Sequence, residues 1–79
     1  MVAVESPFTG MFYRSPSPED PAFVHVGDIV RKGQFIGVIE AMKVFSEIPS
    51  EHSGRVAEIV AENGKLVQQG EPLMYLEPL

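Results

Sequence analysis

The chain has 79 residues, a length that holds one small domain burying only about 60% of the surface its unfolded form exposes. It contains no cysteine, which removes disulfide staples, thiolate nucleophiles and cysteine-ligated zinc. Six basic against eleven acidic side chains give a net charge of −5, which argues against a nucleic-acid partner, and no apolar run approaches the ~20 residues of a membrane span.

Apolar residues come in short alternating or continuous blocks broken by Gly, Pro, Ser and Asn-Gly, and none sustains the i, i+3, i+4 spacing of a helix. In chain order the pattern predicts strands near 2–6 and 10–13. Next comes Tyr13–Phe23, with Pro16, Pro18 and Pro21. Proline fixes φ and removes backbone donors, so this stretch is expected to stand off the sheet as an ordered protrusion. Further strands are predicted near 28–30, 35–41, 44–49, 54–60, 65–67 and 72–77. Asn63-Gly64 is the strongest turn signal, with Val26-Gly27 as its counterpart, and Gly33 and Gly70 mark a second pair of turns. Glu40-Ala41-Met42-Lys43-Val44-Phe45 forms the connection between the fourth and fifth strands.

The two halves of the chain repeat one another. Ser6–Phe12 matches Ser50–Val56 at an offset of 44, keeping the serine, the glycine and the apolar residue two places after it. Gly27–Gln34 matches Gly64–Glu71 at an offset of 37, and the match runs on from Ile36, Val38, Ile39 and Glu40 to Leu73, Tyr75, Leu76 and Glu77. The fall in offset, 44 − 37 = 7, places seven extra residues in the first half between Phe12 and Gly27. Two sets of four strands bury their apolar faces only against each other. The expectation is an all-β fold, a flattened barrel or sandwich of two four-stranded antiparallel sheets with pseudo-two-fold symmetry. The termini and the Lys43 hairpin should lie at opposite ends.

The run Glu40-Ala41-Met42-Lys43 at the centre of that symmetry, with Tyr13-Arg14-Ser15-Pro16-Ser17-Pro18 before it, resembles the biotinyl domains of biotin carboxyl carrier proteins of the acetyl-CoA carboxylase type. The likeness spans essentially the whole chain and implies a single biotinyl domain over 1–79, a thumb insertion at about 14–22 and a biotin hairpin at about 40–45. It implies that Lys43 bears biotin as an amide, with Glu40, Ala41, Met42 and Val44 completing the attachment motif and Ser15 at a hydroxyl-bearing thumb position able to meet the ureido ring. Many members carry Met where this chain has Val44. Met42 is expected to offer a soft, adaptable contact to partners. Glu40 and Glu47 flank the site and either steer a partner or solvate the strands.

The chemistry requires lysine because a deprotonated ε-amine is a nucleophile, whereas guanidinium stays protonated. An arm of about ten rotatable bonds reaches roughly a dozen Å and gives its cargo a high effective concentration at every active site it spans. The resemblance implies a non-catalytic carrier, modified by a biotin protein ligase. It would move a carboxyl group from a biotin carboxylase to a carboxyltransferase, for malonyl-CoA formation in fatty acid synthesis. The chain reads as soluble and intracellular, belonging to a bacterial cytoplasm or a plastid stroma. His25 and His52 are single, with no metal-ligand spacing, and the serines lack a base-and-orienter arrangement. Two other readings are a lipoyl carrier, which usually shows Asp-Lys-Ala where this chain has Met-Lys-Val, and an unmodified module for protein contacts.

Overall fold

In a computed structural model describing residues 1–79, the period-two alternation of the sequence becomes eight strands. These are β1 (Val2–Glu5), β2 (Gly10–Tyr13), β3 (Ile29–Val30), β4 (Phe35–Ala41), β5 (Val44–Pro49), β6 (Gly54–Ile59), β7 (Lys65–Val67) and β8 (Pro72–Glu77). Three predicted ends move by one residue. β1 stops before Ser6, whose hydroxyl donates to the carbonyl of Phe8 at 2.6 Å and turns the chain out of the sheet. β6 stops before Val60, because Val60 and Ala61 both donate to the carbonyl of Leu73, at 3.0 and 3.1 Å, where a regular ladder would send one donor. β3 begins at Ile29 rather than Asp28.

All strand pairs are antiparallel, in two four-stranded sheets ordered β1-β8-β6-β3 and β5-β4-β2-β7. Each sheet therefore takes two strands from each half of the chain. The repeats interlock instead of forming one sheet apiece, so neither half has a core of its own.

The symmetry holds bond by bond. Ile39 faces Ser46 as Leu76 faces Val2, and the register shift between Phe35 and Gly37 recurs between Val4 and Glu5. The amide of Gly33 donates to Ser50 at 2.8 Å as that of Gly70 donates to Ser6 at 2.7 Å. Gly27 donates to Val56 as Gly64 does to Phe12. These four glycines have φ between 78 and 97°, which only glycine adopts without strain. Because β1 and β8 pair as β5 and β4 do, the two termini occupy in one sheet the place that the Met42-Lys43 turn occupies in the other.

Between the sheets lie Phe12, Val30, Ile36, Ile39, Val56, Val67, Leu73, Met74 and Leu76, all 2% exposed or less. Each large one contributes about 1.5–3 kcal/mol by leaving water. The symmetry breaks at one place in this core. Phe12 has Val56 as its counterpart and Gly37 has Met74, so each half pairs a large side chain with a small one on opposite strands. A Cβ on Gly37 would stand 2.5 Å from Cε1 of Phe12.

Candidate functional site

β4 and β5 are joined by two residues, Met42 and Lys43, with Ala41 facing Val44 as the closing pair. Among the two-residue hairpin turns that match the twist of the strands, the type I′ form needs positive φ at both central positions, and Asn-Gly usually supplies it. Here Met42 and Lys43 supply it, at φ 52 and 65°, and they are the non-glycine residues with positive φ. A left-handed conformation costs a side-chain-bearing residue about 1–2 kcal/mol. The strain is held by the fold and projects both side chains away from it.

Glu40, the last residue of β4 but one, reaches forward, and its Oε2 accepts a hydrogen bond from the backbone N–H of Lys43 at 2.9 Å. That amide has no backbone carbonyl as partner. The Lys43 ammonium makes no ion pair, the single pair in the chain being His25 with Asp28 at 3.9 Å, and it donates no hydrogen bond to a protein acceptor. Met42 is 95% exposed, and Val44 and Phe45 are also exposed. Glu40, Ala41, Met42, Lys43 and Val44 thus share one turn, whose primary amine is free to be acylated. That arrangement fits an amide-linked arm.

The Pro-rich insertion folds back over the outer face of the sheet containing β4. It is closed at its base by Phe23 N–H donating to the carbonyl of Arg14 at 2.8 Å and by the Arg14 guanidinium donating to the carbonyl of Val24 at 3.1 Å. Within it, Ser17 Oγ donates to Asp20 Oδ2 at 2.9 Å and Asp20 N–H to the carbonyl of Ser17 at 3.1 Å. The insertion covers Val38, which is 4% exposed although it lies outside the core cluster. Its counterpart in the other half, Tyr75, has no such cover and is half-exposed.

Ser15 lies across from the hairpin, on a cleft of about 320 Å³ between Ser15–Pro18 and the side chains of Tyr13, Val38, Phe45 and Asn63. Its hydroxyl proton is committed to the carbonyl of Ser17 at 2.8 Å, which leaves the oxygen as an acceptor toward anything in the cleft. Two participants were not foreseen from the sequence. Asn63, a turn residue, accepts the N–H of Arg14 on its side-chain oxygen at 2.8 Å and ties the insertion to the second half of the chain. Phe45, two residues past the lysine, packs against Tyr13 with the rings tilted by 36° and 6.5 Å between centroids, and forms the hairpin wall of the cleft. A general signal existed for Phe45, an aromatic residue on the solvent side of a strand. None existed for Asn63.

Glu47 faces Val38 on β4, one step past Phe45 on the same face. It lines a groove of about 490 Å³ between β1 and β5, with Glu5, Glu51 and His52. No helix is long and apolar enough to cross a membrane.

Residues 2–76 match the family described as Biotin-requiring enzyme. The chain is 52% identical over 75 residues to the biotin carboxyl carrier protein of acetyl-CoA carboxylase 1, chloroplastic, of Arabidopsis thaliana, covering 95% of this chain and 27% of that protein. It is 46% identical over 78 residues to the biotin carboxyl carrier protein of acetyl-CoA carboxylase of Nostoc sp., covering 99% of this chain and 43% of that one. The chain therefore spans less than half the length of these relatives. Among solved structures, the Kluyveromyces lactis urea carboxylase superposes with a TM-score of 0.75 at 29% identity, over 96% of this chain and 6% of that enzyme. A single-chain, multi-domain long-chain acyl-CoA carboxylase shares the fold, with a TM-score of 0.74 at 20% identity over 92% of this chain and 7% of that one.

Proposed function

The chain belongs to the biotin-requiring enzyme family, and on that premise we propose that it is the biotinyl domain of an acetyl-CoA carboxylase carrier subunit, with biotin amide-linked to Lys43. The observation that supports the lysine is its position, an ammonium without a protein partner on a strained two-residue turn at the junction of two symmetric halves. A biotin protein ligase would present the acyl group in activated form. The Lys43 amine, once deprotonated, attacks the acyl carbon, the N–C bond forms and the activating group departs. The formal charge falls to (6 − 1) − 11 = −6.

Bound biotin supplies a ureido nitrogen that takes up and gives back a carboxyl group. The chain supplies placement. The turn holds the attachment point out in water, and the rigid sheets behind it let a biotin carboxylase and a carboxyltransferase each receive it in turn. The domain catalyses neither step. Its place of work, on this reading, is wherever fatty acid synthesis occurs, a bacterial cytoplasm or a plastid stroma. Met42, Ala41 and Val44 form the surface that the ligase meets around the amine. The test is the intact mass of the chain co-produced with a biotin ligase, followed by peptide mapping. One biotinyl amide on Lys43 is expected; a lipoyl amide, or a bare amine at that position, overturns the assignment.

We further propose that the cleft under the thumb receives the ureido ring between visits to the catalytic subunits. Tyr13, Val38 and Phe45 offer apolar contact and Ser15 Oγ an acceptor at its edge. Removing residues 15–21 should leave biotin attachment intact, speed the motion of the ring in NMR relaxation and cost about 1.5 kcal/mol of stability through exposure of Val38. Ring relaxation that does not change on deletion removes the thumb from this role.

A further inference from the structure

The carboxylate of Glu40 has a more specific job than flanking a charged site. In a two-residue hairpin the first and last residues bond each other, and the N–H of the second central residue is left without a backbone acceptor. In this chain that N–H belongs to Lys43, and Glu40 Oε2 takes it at 2.9 Å. Lys43 is also one of two side-chain-bearing residues held at positive φ, where the backbone would otherwise relax. Glu40 as a residue is half-buried, and its bond to Lys43 lies at the surface. On its face of the sheet it lies between Met11 of β2 and Phe45 of β5, both uncharged, with Tyr13 and Glu47 the diagonal titratable neighbours on those strands.

We infer that Glu40 is the positioning residue for Lys43: its carboxylate fixes the lysine backbone in the left-handed conformation and thereby sets the direction in which the amine leaves the turn. The inference rests on Lys43 being the acylated residue, and adds that the carboxylate acts within the chain and is not read by a partner.

Two measurements test it, one of them independent of biotin. In the unmodified domain, the Lys43 amide proton resonates downfield and exchanges slowly for a turn residue, and E40A moves it upfield and speeds its exchange. E40Q, which keeps an acceptor, holds most of that protection, and E47Q leaves it unchanged. A Lys43 amide that exchanges freely in the wild-type chain, or that E40A leaves unmoved, overturns the inference. In a ligase assay, E40A lowers the rate of biotin attachment about tenfold, the loss expected when a charge-assisted hydrogen bond at a partly exposed site is removed. E40Q, whose amide oxygen still accepts the Lys43 N–H, recovers most of that loss. E40Q as poor as E40A overturns the positioning role, because it makes the negative charge itself the feature recognised. If the wild-type chain takes no biotin on Lys43, the attachment reading fails by itself, and the amide shift and exchange rate still decide what Glu40 does.

Discussion

Lys43→Arg leaves the chain without biotin when it is co-produced with a competent ligase, and its fold is unchanged. The substitution keeps the length and charge of the side chain but replaces an amine that can lose its proton with a guanidinium that does not. The ammonium makes no ion pair whose loss would unsettle the hairpin, so a folded, unlabelled product is expected. Displacing the amine by one residue separates chemistry from placement. In Lys43→Met with Val44→Lys, the amine stands on β5 on the side of Ser46 and Ile48, toward the shallow hollow lined by Thr9, Ile39 and Gln69 at the end of the barrel. In Met42→Lys with Lys43→Met, the amine stays fully accessible, since Met42 is 95% exposed, but leaves from the other corner of the turn, without the bond from Glu40. Both double variants should be labelled about 10²-fold more slowly, the scale of loss for a misplaced reacting group. Streptavidin capture and intact mass read the result. A biotinylated Lys43→Arg chain, or normal labelling of either displaced amine, sinks the assignment.

Strand positions were legible to within a residue because alternation and glycine turns are local properties of the chain. So was the two-fold relation, carried by pairs such as Gly33 with Gly70 and Ile36 with Leu73. Which strands share a sheet was not legible, since pairing β1 with β8 depends on where the two halves cross and no residue encodes it locally. No local signal marks Val38 as buried outside the core, and only the thumb laid across it in three dimensions buries it. The turn is the instructive case. Met42-Lys43 has neither Asn nor Gly, so turn propensity does not predict positive φ there, yet both residues adopt it. A local rule is broken at the point where a side chain must be presented, and the compensation comes from Glu40, whose reach to the Lys43 amide is invisible to any scale of propensity.

The core offers the second large effect. Phe12→Val leaves a void where the ring was and should cost about 2–3 kcal/mol. Gly37→Met drives a side chain into that ring, with Cβ 2.5 Å from Cε1 of Phe12 and 3.2 Å from the carbonyl oxygen of Tyr13, and should cost about 3 kcal/mol through overpacking. Either loss is a large share of the total for a domain of this size, whose whole stability is on the order of 4–12 kcal/mol. Together the two substitutions copy the residues at the equivalent core positions of the other half, Val56 and Met74, so their costs should not add. The double variant is expected to recover about 1–2 kcal/mol of the summed loss, a coupling characteristic of residues in direct contact. Recovery stops short of complete for a reason visible in the backbone. β6 carries a register shift between Val56 and Glu58 opposite β8, whereas β2 pairs with β4 without one, so the Tyr13 carbonyl stays against position 37. Urea denaturation of the two single variants and the double measures the coupling. Costs that add to within about 0.5 kcal/mol would mean that the halves do not exchange volume between these strands, and the complementary packing would lose its energetic meaning.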